Sequence, residues 1–415
     1  MRVLILSQYY RPEPIPKPAE LAAELKKRGH EVAVLTGFPN YPSGKLYPGY
    51  RLRLLRREVI DGIPVFRTFE IPYHGKRTIG RLLNYGSFMI SSLWGFFCLP
   101  AFDVIYVWHP PLSIGLSAWL LARWRRVCFV YDVQDIWPES AVLSGILKAG
   151  SAVRYMSKLE KFVYRRANHI LVVTDGAREN LIGKGVPPQK VTSLPHLMDE
   201  GIFATIDLQT RERVRIEFGW NDHFILVFAG NLGMVQGLET LLEAAERLQD
   251  GDKARLVFVG DGSDRERLQN LAKDKNLGTV QFIGHQPQEK MPEILGAADA
   301  LIVHLKKSEI SKYVIPTKTL AYLASGRPIL MAMGGAAAQM IQEVGAGVVI
   351  PSEDPEEMAK AIRFLVHMPL SERKTIGNRG RAYLMEHLTK EKIIPRYEAI
   401  LQKMAVRKGI DVEQR

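Results

Sequence analysis

The chain has 415 residues, 47 % of them hydrophobic and 24 % charged, an ordinary globular balance. At about 100–200 residues per domain this length predicts two domains, each long enough to bury a core of its own. The net charge is +12, and the two cysteines, Cys98 and Cys128, both lie among apolar neighbours. That excludes a disulfide scaffold or a cysteine-rich metal site and fits a reducing compartment.

In chain order, MRVLILSQYY carries an apolar run too short for a signal-peptide core, so it reads as a buried first strand over 3–7. A proline-rich loop, 11–18, leads to a helix over 19–30 with a basic end and Gly29 at its stop. Strands follow at 31–36, 103–109, 126–133 and 169–174, each an apolar run rich in β-branched residues. The pattern restarts at 224–230, with further strands at 254–260, 280–284, 300–305, 327–333 and 346–351. Helices alternate with them, at 237–249, 264–277, 290–299, 316–326 and 356–366. Strand–helix alternation predicts parallel sheets covered by helices on both faces. An irregular polar stretch near 195–222 reads as the join, and a last helix over about 390–408 as a segment crossing back over the first half. The expected domains are therefore 1–200, 201–389 and a C-terminal helix in 390–415.

The positive charge fits solubility, or attraction to membrane phosphates, nucleic acid or a phosphorylated substrate. Basic residues crowd one region: Arg51, Arg53, Arg56 and Arg57, then Lys76, Arg77 and Arg81, then Arg123, Arg125 and Arg126. Between them lies FMISSLWGFFCLPAF, 88–102, shorter than the roughly 20 residues that span a bilayer. Two readings stand: a segment lying on a membrane surface, or a buried core helix.

Ligands of open parallel sheets bind beyond the carboxyl ends of the strands, so the residues there are the candidates. Gly230, Asn231 and Gly233, then Gln236-Gly237, follow the strand at 224–230, and small residues there let a backbone approach a phosphate. A tight turn explains them equally well. Lys306 and Lys307 follow the strand at 300–305, and Pro316, Thr317 and Lys318 open a helix whose first N–H groups suit an anion. His109 ends the strand at 103–109, placed either to orient a bound sugar or as a surface-loop histidine. Asp135 and Glu139 flank Trp137, an arrangement suited to sugar hydroxyls and a sugar ring, or to the start of a helix. P-loop, GxSxG and HExxH patterns are missing, as is GxGxxG after the first strand. The histidines lack ligand spacing, so no metal is expected.

The order of His109-Pro-Pro, Gln134-Asp-Ile-Trp-Pro-Glu-Ser, Gly230-Asn-Leu-Gly, Val259-Gly-Asp-Gly, Phe282-Ile-Gly-His and Pro316-Thr-Lys…Ala-Ser-Gly-Arg-Pro resembles the retaining GT-B glycosyltransferases of family 4. Within that family it is most similar to the WbuB-like enzymes of bacterial surface-polysaccharide assembly. The resemblance covers nearly the whole chain. It implies two Rossmann-like domains facing a cleft, the first holding an acceptor and the second a nucleotide-sugar donor, expected to be a UDP-sugar. It implies His109 and Asp135 as catalytic. Donor contacts would come from Gly230, Asn231, Gly233, Gln236, Gly284, Lys306, Pro316, Thr317 and Lys318, and acceptor contacts from Pro14, Lys17 and Glu139. It implies no cofactor and no metal, because cations and a helix dipole stabilise the leaving diphosphate. The expected acceptor is a lipid-linked diphosphate sugar, at the cytoplasmic face of the cell membrane and in peripheral contact with its anionic lipid, with no nucleic-acid partner.

Three departures from the family pattern stand out. Tyr313 and Ala321 occupy the positions of its paired glutamates, the second of which holds the ribose. Asn231 and Gln236 stand where many members carry Arg and Lys. The first loop is Pro14-Ile15-Pro16-Lys17 rather than glycine-rich. They keep two alternatives open, a non-catalytic subunit and a nucleotide-sugar epimerase.

Overall fold

The computed structural model describes residues 1–75, 77–139, 142, 150–197, 205–248 and 252–406. Lys76, Ser140, residues 198–204 of the expected join and the expected helix ends at 249 and 407–408 lie outside them. The chain divides into two compact units: one holds Met1–Leu197 together with the chain from Glu391 onward, the other the intervening chain to Lys390.

The first unit runs β1 (Arg2–Leu6), α1 (Pro16–Lys27), β2 (Glu31–Gly37), β3 (Leu55–Ile60), β4 (Ile63–Thr68), α2 (Thr78–Gly95), β5 (Val104–Trp108), α3 (Ile114–Arg125), β6 (Cys128–Val133), α4 (Ser151–Arg166), β7 (His169–Val172), α5 (Asp175–Gly183) and β8 (Val191–Ser193). Its sheet has the order β3-β4-β2-β1-β5-β6-β7-β8 and is parallel except for β3. Inner strands β1, β5 and β6 are apolar and buried nearly throughout, because helices cover both faces.

The β3–β4 hairpin is an element that the chain-order reading passes over. Asp61 and Gly62 both have positive φ, 53° and 70°, which suits a two-residue hairpin turn, and Ile60 pairs with Ile63 across it. The Asp-Gly signal is present in the sequence, but the clustered arginines around it draw the eye to charge instead.

The second unit runs α6 (Leu208–Phe218), β9 (Phe224–Ala229), α7 (Glu239–Glu246), β10 (Ala254–Val259), α8 (Arg265–Asp274), β11 (Val280–Ile283), α9 (Met291–Ala297), β12 (Ala300–His304), α10 (Thr317–Ser325), β13 (Ile329–Ala332), α11 (Ala336–Val344), β14 (Gly347–Ile350), α12 (Pro355–His367) and α13 (Leu370–His387). Its sheet, β11-β10-β9-β12-β13-β14, is wholly parallel. The order reverses direction between β9 and β12, the switch point at which such sheets leave a crevice. The last helix, α14 (Lys390–Val406), packs on the first unit: Glu398 pairs with His30 at 2.7 Å, and the Tyr397 ring lies 6.2 Å from that of Tyr106.

The segment 88–102 matches neither of its two readings in full. It forms the last turns of α2 and a single 3-10 turn, Phe96–Cys98. The inward side of α2 carries Asn84, Phe88, Ser92 and Gly95. Ile79, Leu82, Leu83, Ile90 and Trp94 face outward, with Trp94 74 % exposed and Phe97 beyond it 71 % exposed. Apart from Phe88, the inward residues are small or polar, while most of the large apolar ones lie outside, the reverse of an ordinary surface helix. The inner polar groups have partners: Ser92 Oγ donates to Ser117 Oγ at 3.0 Å, and Asn84 Nδ2 donates to the Ile71 carbonyl at 2.7 Å. Among the described residues no helix is long and apolar enough to cross a membrane.

Candidate functional site

The second unit contains a cavity of about 610 Å³ at its switch point. Three loops and two helices build it. Gly230 and Asn231 follow β9, and Gly260 and Asp261 follow β10. His285, Gln286 and Gln288 follow β11, Met291 and Leu295 come from α9, and Lys318, Ala321 and Tyr322 from α10. The β9 and β10 loops touch backbone to backbone. Gly260 has φ +135°, and a Cβ there would lie 2.1 Å from the Gly230 carbonyl oxygen, so only glycine fits.

Lys318 dominates the electrostatics of this cavity. Its Nζ lies 3.6 Å from the centre of the Phe228 ring and donates to Gln236 Oε1 at 3.1 Å. No carboxylate pairs with it among the described residues. Removal from water lowers its pKa to about 7, and the aromatic face supports the charge it keeps. Pro316 is the N-cap of α10, and no side chain caps the helix. Thr317 is therefore the first helical residue rather than the cap, and the first-turn N–H groups have no side-chain acceptor.

Of the donor residues expected from the sequence, Gly230, Asn231 and Lys318 line this cavity, and Gln236 joins them through its bond to Lys318. Gly233, Gly284, Pro316 and Thr317 are not in its wall. Lys306 also lies outside it, with its Nζ 3.6 Å from Glu239.

The first unit holds the other candidates. His109 is 1 % exposed, and neither ring nitrogen has a hydrogen-bond partner among the described residues. Burial lowers its pKa to about 3, so the ring is neutral, with one N–H to give and one lone pair to offer. Its neighbours are Tyr131, ring centre 5.7 Å away, and Trp137, edge-on at 6.5 Å. Asp135 is exposed beyond the end of β6. Glu139 is half-exposed and paired with Lys184 at 2.7 Å, and Lys184 also binds the buried Glu160. Pro14 lies exposed in the turn before α1.

Lys17 is 6 % exposed, and its Nζ lies 2.9 Å from Asp132 and 3.3 Å from Gln134 Oε1. Its ammonium is thus committed to a buried ion pair rather than presented on the proline-rich loop.

Two family models divide the chain between them. "Glycosyl transferase 4-like domain" matches residues 17–196, and "Glycosyl transferases group 1" matches 210–383. The chain is a GT-B glycosyltransferase. Its relatives include WcaI of Escherichia coli, a glycosyl transferase ascribed to colanic acid biosynthesis, 26 % identical across 96 % of this chain and 98 % of that protein. A GDP-mannose-dependent alpha-mannosyltransferase of Mycobacterium tuberculosis is 25 % identical across 91 % of this chain and 90 % of its own. Among solved structures, Anabaena HepE in complex with UDP superposes with a TM-score of 0.71 at 15 % identity, covering 97 % of this chain and all of that one. Sucrose-phosphate synthase from Thermosynechococcus elongatus gives 0.74 at 16 % identity, covering 98 % and 100 %. The fold expected from the sequence, two parallel-sheet domains of the GT-B type, is the one observed.

In this glycosyltransferase the cavity wall includes Met291, Leu295 and Tyr322, which the sequence does not single out. Apolar and aromatic residues on short helices read as core. Only their position after the β11 and β12 loops hints otherwise.

Proposed function

We propose that the protein transfers a sugar, with retention of configuration, from a UDP-sugar to a lipid-linked diphosphate sugar in bacterial surface-polysaccharide assembly. The observation that carries this reading is Lys318: a cation without a carboxylate partner, at the open start of α10, facing the Gly230-Asn231 backbone. A diphosphate supplies the missing anion. HepE, a neighbour in fold, binds UDP, which favours uridine among the bases, although the mannosyltransferase relative uses a guanosine donor.

In this reading the bond from the sugar's anomeric carbon to the diphosphate breaks, and a bond to the acceptor hydroxyl oxygen forms on the same face. The acceptor's proton passes to the departing phosphate oxygen. Lys318 and the α10 N–H groups stabilise the charge that develops there, without a metal. His109, neutral and without a partner, gives a hydrogen bond to a hydroxyl of the reacting sugar. Such a site needs positioning and charge stabilisation more than a strong base.

The acceptor's lipid tail places the reaction at the cytoplasmic face of a membrane. The outward apolar side of α2 supports this. The ring of Phe97 lies 6.5 Å from that of Trp94 and 5.1 Å from that of Trp124, forming an exposed aromatic cluster. Arg125 at the end of α3 and Arg126 just after it lie beside this cluster in the chain, with Arg123 one turn earlier, while Arg77 precedes α2 and Arg81 lies in its first turn, about 20 Å along the helix from Trp94. Aromatic and aliphatic side chains edged by arginine suit an anionic lipid surface.

The test is a panel of nucleotide-sugars incubated with purified protein and bacterial lipid extract, read by release of free nucleoside diphosphate and by label entering lipid. Sugar transfer to lipid with UDP released supports the reading. Failure to bind UDP would favour a non-catalytic subunit, and an epimerised donor formed without acceptor would favour an epimerase.

A further inference from the structure

The cavity has two chemically different ends and a middle. Gly230, Asn231 and Lys318 form the anion end, beyond β9. His285, Gln286 and Gln288 form the other end, beyond β11, with planar polar groups suited to a base edge. β9 and β11 are separated by β10 alone, so the two ends stand about 10 Å apart at ordinary strand spacing. A nucleoside diphosphate whose phosphates meet Lys318 and whose base meets His285 therefore has its pentose in the middle.

The middle wall is apolar on its helix side. Ala321 lies one turn after Lys318 on the same face of α10 and presents a methyl group. Met291 and Leu295 of α9 stand beside it. The Tyr322 hydroxyl is spent on β9, accepting from the Ala229 N–H at 2.8 Å and donating to the Ala229 carbonyl at 3.3 Å. Asp261 is the one carboxylate among the described residues of the wall. It sits on the opposite, β10 side, accepts the Gly262 N–H at 2.8 Å and lies 3.7 Å from Arg265. Among the described residues of the wall, the α10–α9 side carries no carboxylate or amide side chain to accept a hydrogen bond from a pentose hydroxyl.

We propose that this donor site does not read the 2′-hydroxyl and takes 2′-deoxyribonucleoside diphosphates, the nucleotide class of thymidine diphosphate sugars, as readily as ribonucleoside ones. The inference rests on the reading of this cavity as the donor site. A site earns strong discrimination against a missing hydroxyl only by burying a partner that the analogue leaves unpaired, and a methyl group leaves none. Ala321 is therefore the specificity-determining position for the pentose.

Calorimetric titration with UDP and with 2′-deoxy-UDP tests this directly. The wild-type dissociation constants should agree within tenfold. In Ala321→Glu the carboxylate should tighten UDP more than its deoxy analogue, which keeps only the 3′-hydroxyl, and widen the ratio by at least fivefold. Ala321→Gln provides a smaller, uncharged version of the same change if the glutamate destabilises the helix. A wild-type preference for UDP beyond tenfold overturns the proposal, and its loss in Asp261→Asn would identify the acceptor responsible. An unchanged ratio in both Ala321 variants also overturns it, since the pentose would then lie elsewhere. If neither nucleotide binds the wild type, the donor-site reading itself fails, an outcome distinct from UDP binding while the deoxy form does not.

Discussion

Lys17 and Asp132 form an ion pair of 2.9 Å with their side chains only 8 % and 1 % exposed. The pair joins α1 to the end of β6, and Asp132 also receives hydrogen bonds from Tyr106 and, at 2.6 Å, from Gln134. Tyr397 of α14 completes the arrangement, its hydroxyl 3.5 Å from the same carboxylate and its ring 5.5 Å from the Lys17 ammonium. One buried carboxylate thus ties the proline-rich loop's helix, the central sheet and the returning C-terminal helix together. Removing one member of such a pair strands the other charge, at about 3–5 kcal/mol. Asp132→Asn should therefore destabilise the first unit by an amount of that order in urea unfolding followed by far-ultraviolet dichroism. Adding Lys17→Met should recover a large part of the loss. If the double variant were no more stable than the single one, the ion pair would not be the cause.

His109 gives a prediction about chemistry that leaves donor binding alone. Its neutral ring, in the first unit, has two nitrogens without a partner among the described residues, whereas the cavity proposed for the donor is lined by residues of the second. His109→Ala should lower turnover at least tenfold, about 1.4 kcal/mol of barrier, while the affinity for UDP stays within twofold of wild type. Because burial holds the pKa near 3, the ring does not change charge between pH 5 and 9, so removing it should leave the shape of the pH–rate curve unaltered. Full turnover in the variant would remove His109 from the mechanism.

The parallel strands and the loops beyond β9 and β12 could be anticipated because such strands announce themselves as apolar runs, and ligands gather at their carboxyl ends; the strand order could not. Lys318 was legible for the same reason. Lys17, read as part of the proline-rich loop, instead lies in the first turn of α1 with its ammonium on Asp132. The corrective signal was Asp132, an acid inside the wholly buried strand CFVYDV, which demands a buried partner. Which lysine answers that demand is a long-range fact that no local pattern encodes. The segment 88–102 was ambiguous because hydrophobicity alone cannot say which side of a helix faces inward. The answer came from Asn84 and Ser92, whose polar partners lie on neighbouring elements.

The exposed side of α2 predicts lipid binding with a two-part signature. Each arginine near an anionic surface contributes about 1 kcal/mol, and that part weakens as salt shortens the reach of charge. The aromatic part is indifferent to salt. Arg77→Glu with Arg81→Glu should therefore reduce the salt-sensitive fraction of binding to vesicles containing anionic phospholipid, leaving the share of Arg123, Arg125 and Arg126. Trp94→Ser with Phe97→Ser should weaken binding at every salt concentration. Both readouts come from vesicle flotation. Protein that stays free of such vesicles at low salt would show that this face serves another partner.

Lys318, with no carboxylate partner among the described residues, predicts that nucleotide binding in the cavity proposed for the donor takes up a proton. In the free protein the pKa of Lys318 is lowered to about 7 because the group has lost water without gaining a counter-charge. A bound diphosphate supplies that charge and raises the pKa. Below pH 7 the lysine is charged before and after binding, so affinity is flat. Above pH 7 the free site is increasingly neutral and must gain a proton to bind, so affinity falls by up to about tenfold per pH unit until the pKa of the complex is passed. UDP-glucose is the appropriate probe, because both of its phosphates are esterified and hold no proton to lose in this range. Its dissociation constant should rise at least tenfold between pH 6.5 and 8.5, and calorimetry in buffers of different ionisation enthalpy should register the proton taken up. His285 lines the same cavity, so the series is repeated in a His285→Gln background to isolate the lysine. Lys318→Met should bind weakly at pH 6.5 and show no further loss up to pH 8.5. A wild-type affinity that stays constant across this range would mean that Lys318 already carries its full charge in the free protein, held by the Phe228 face and Gln236 alone.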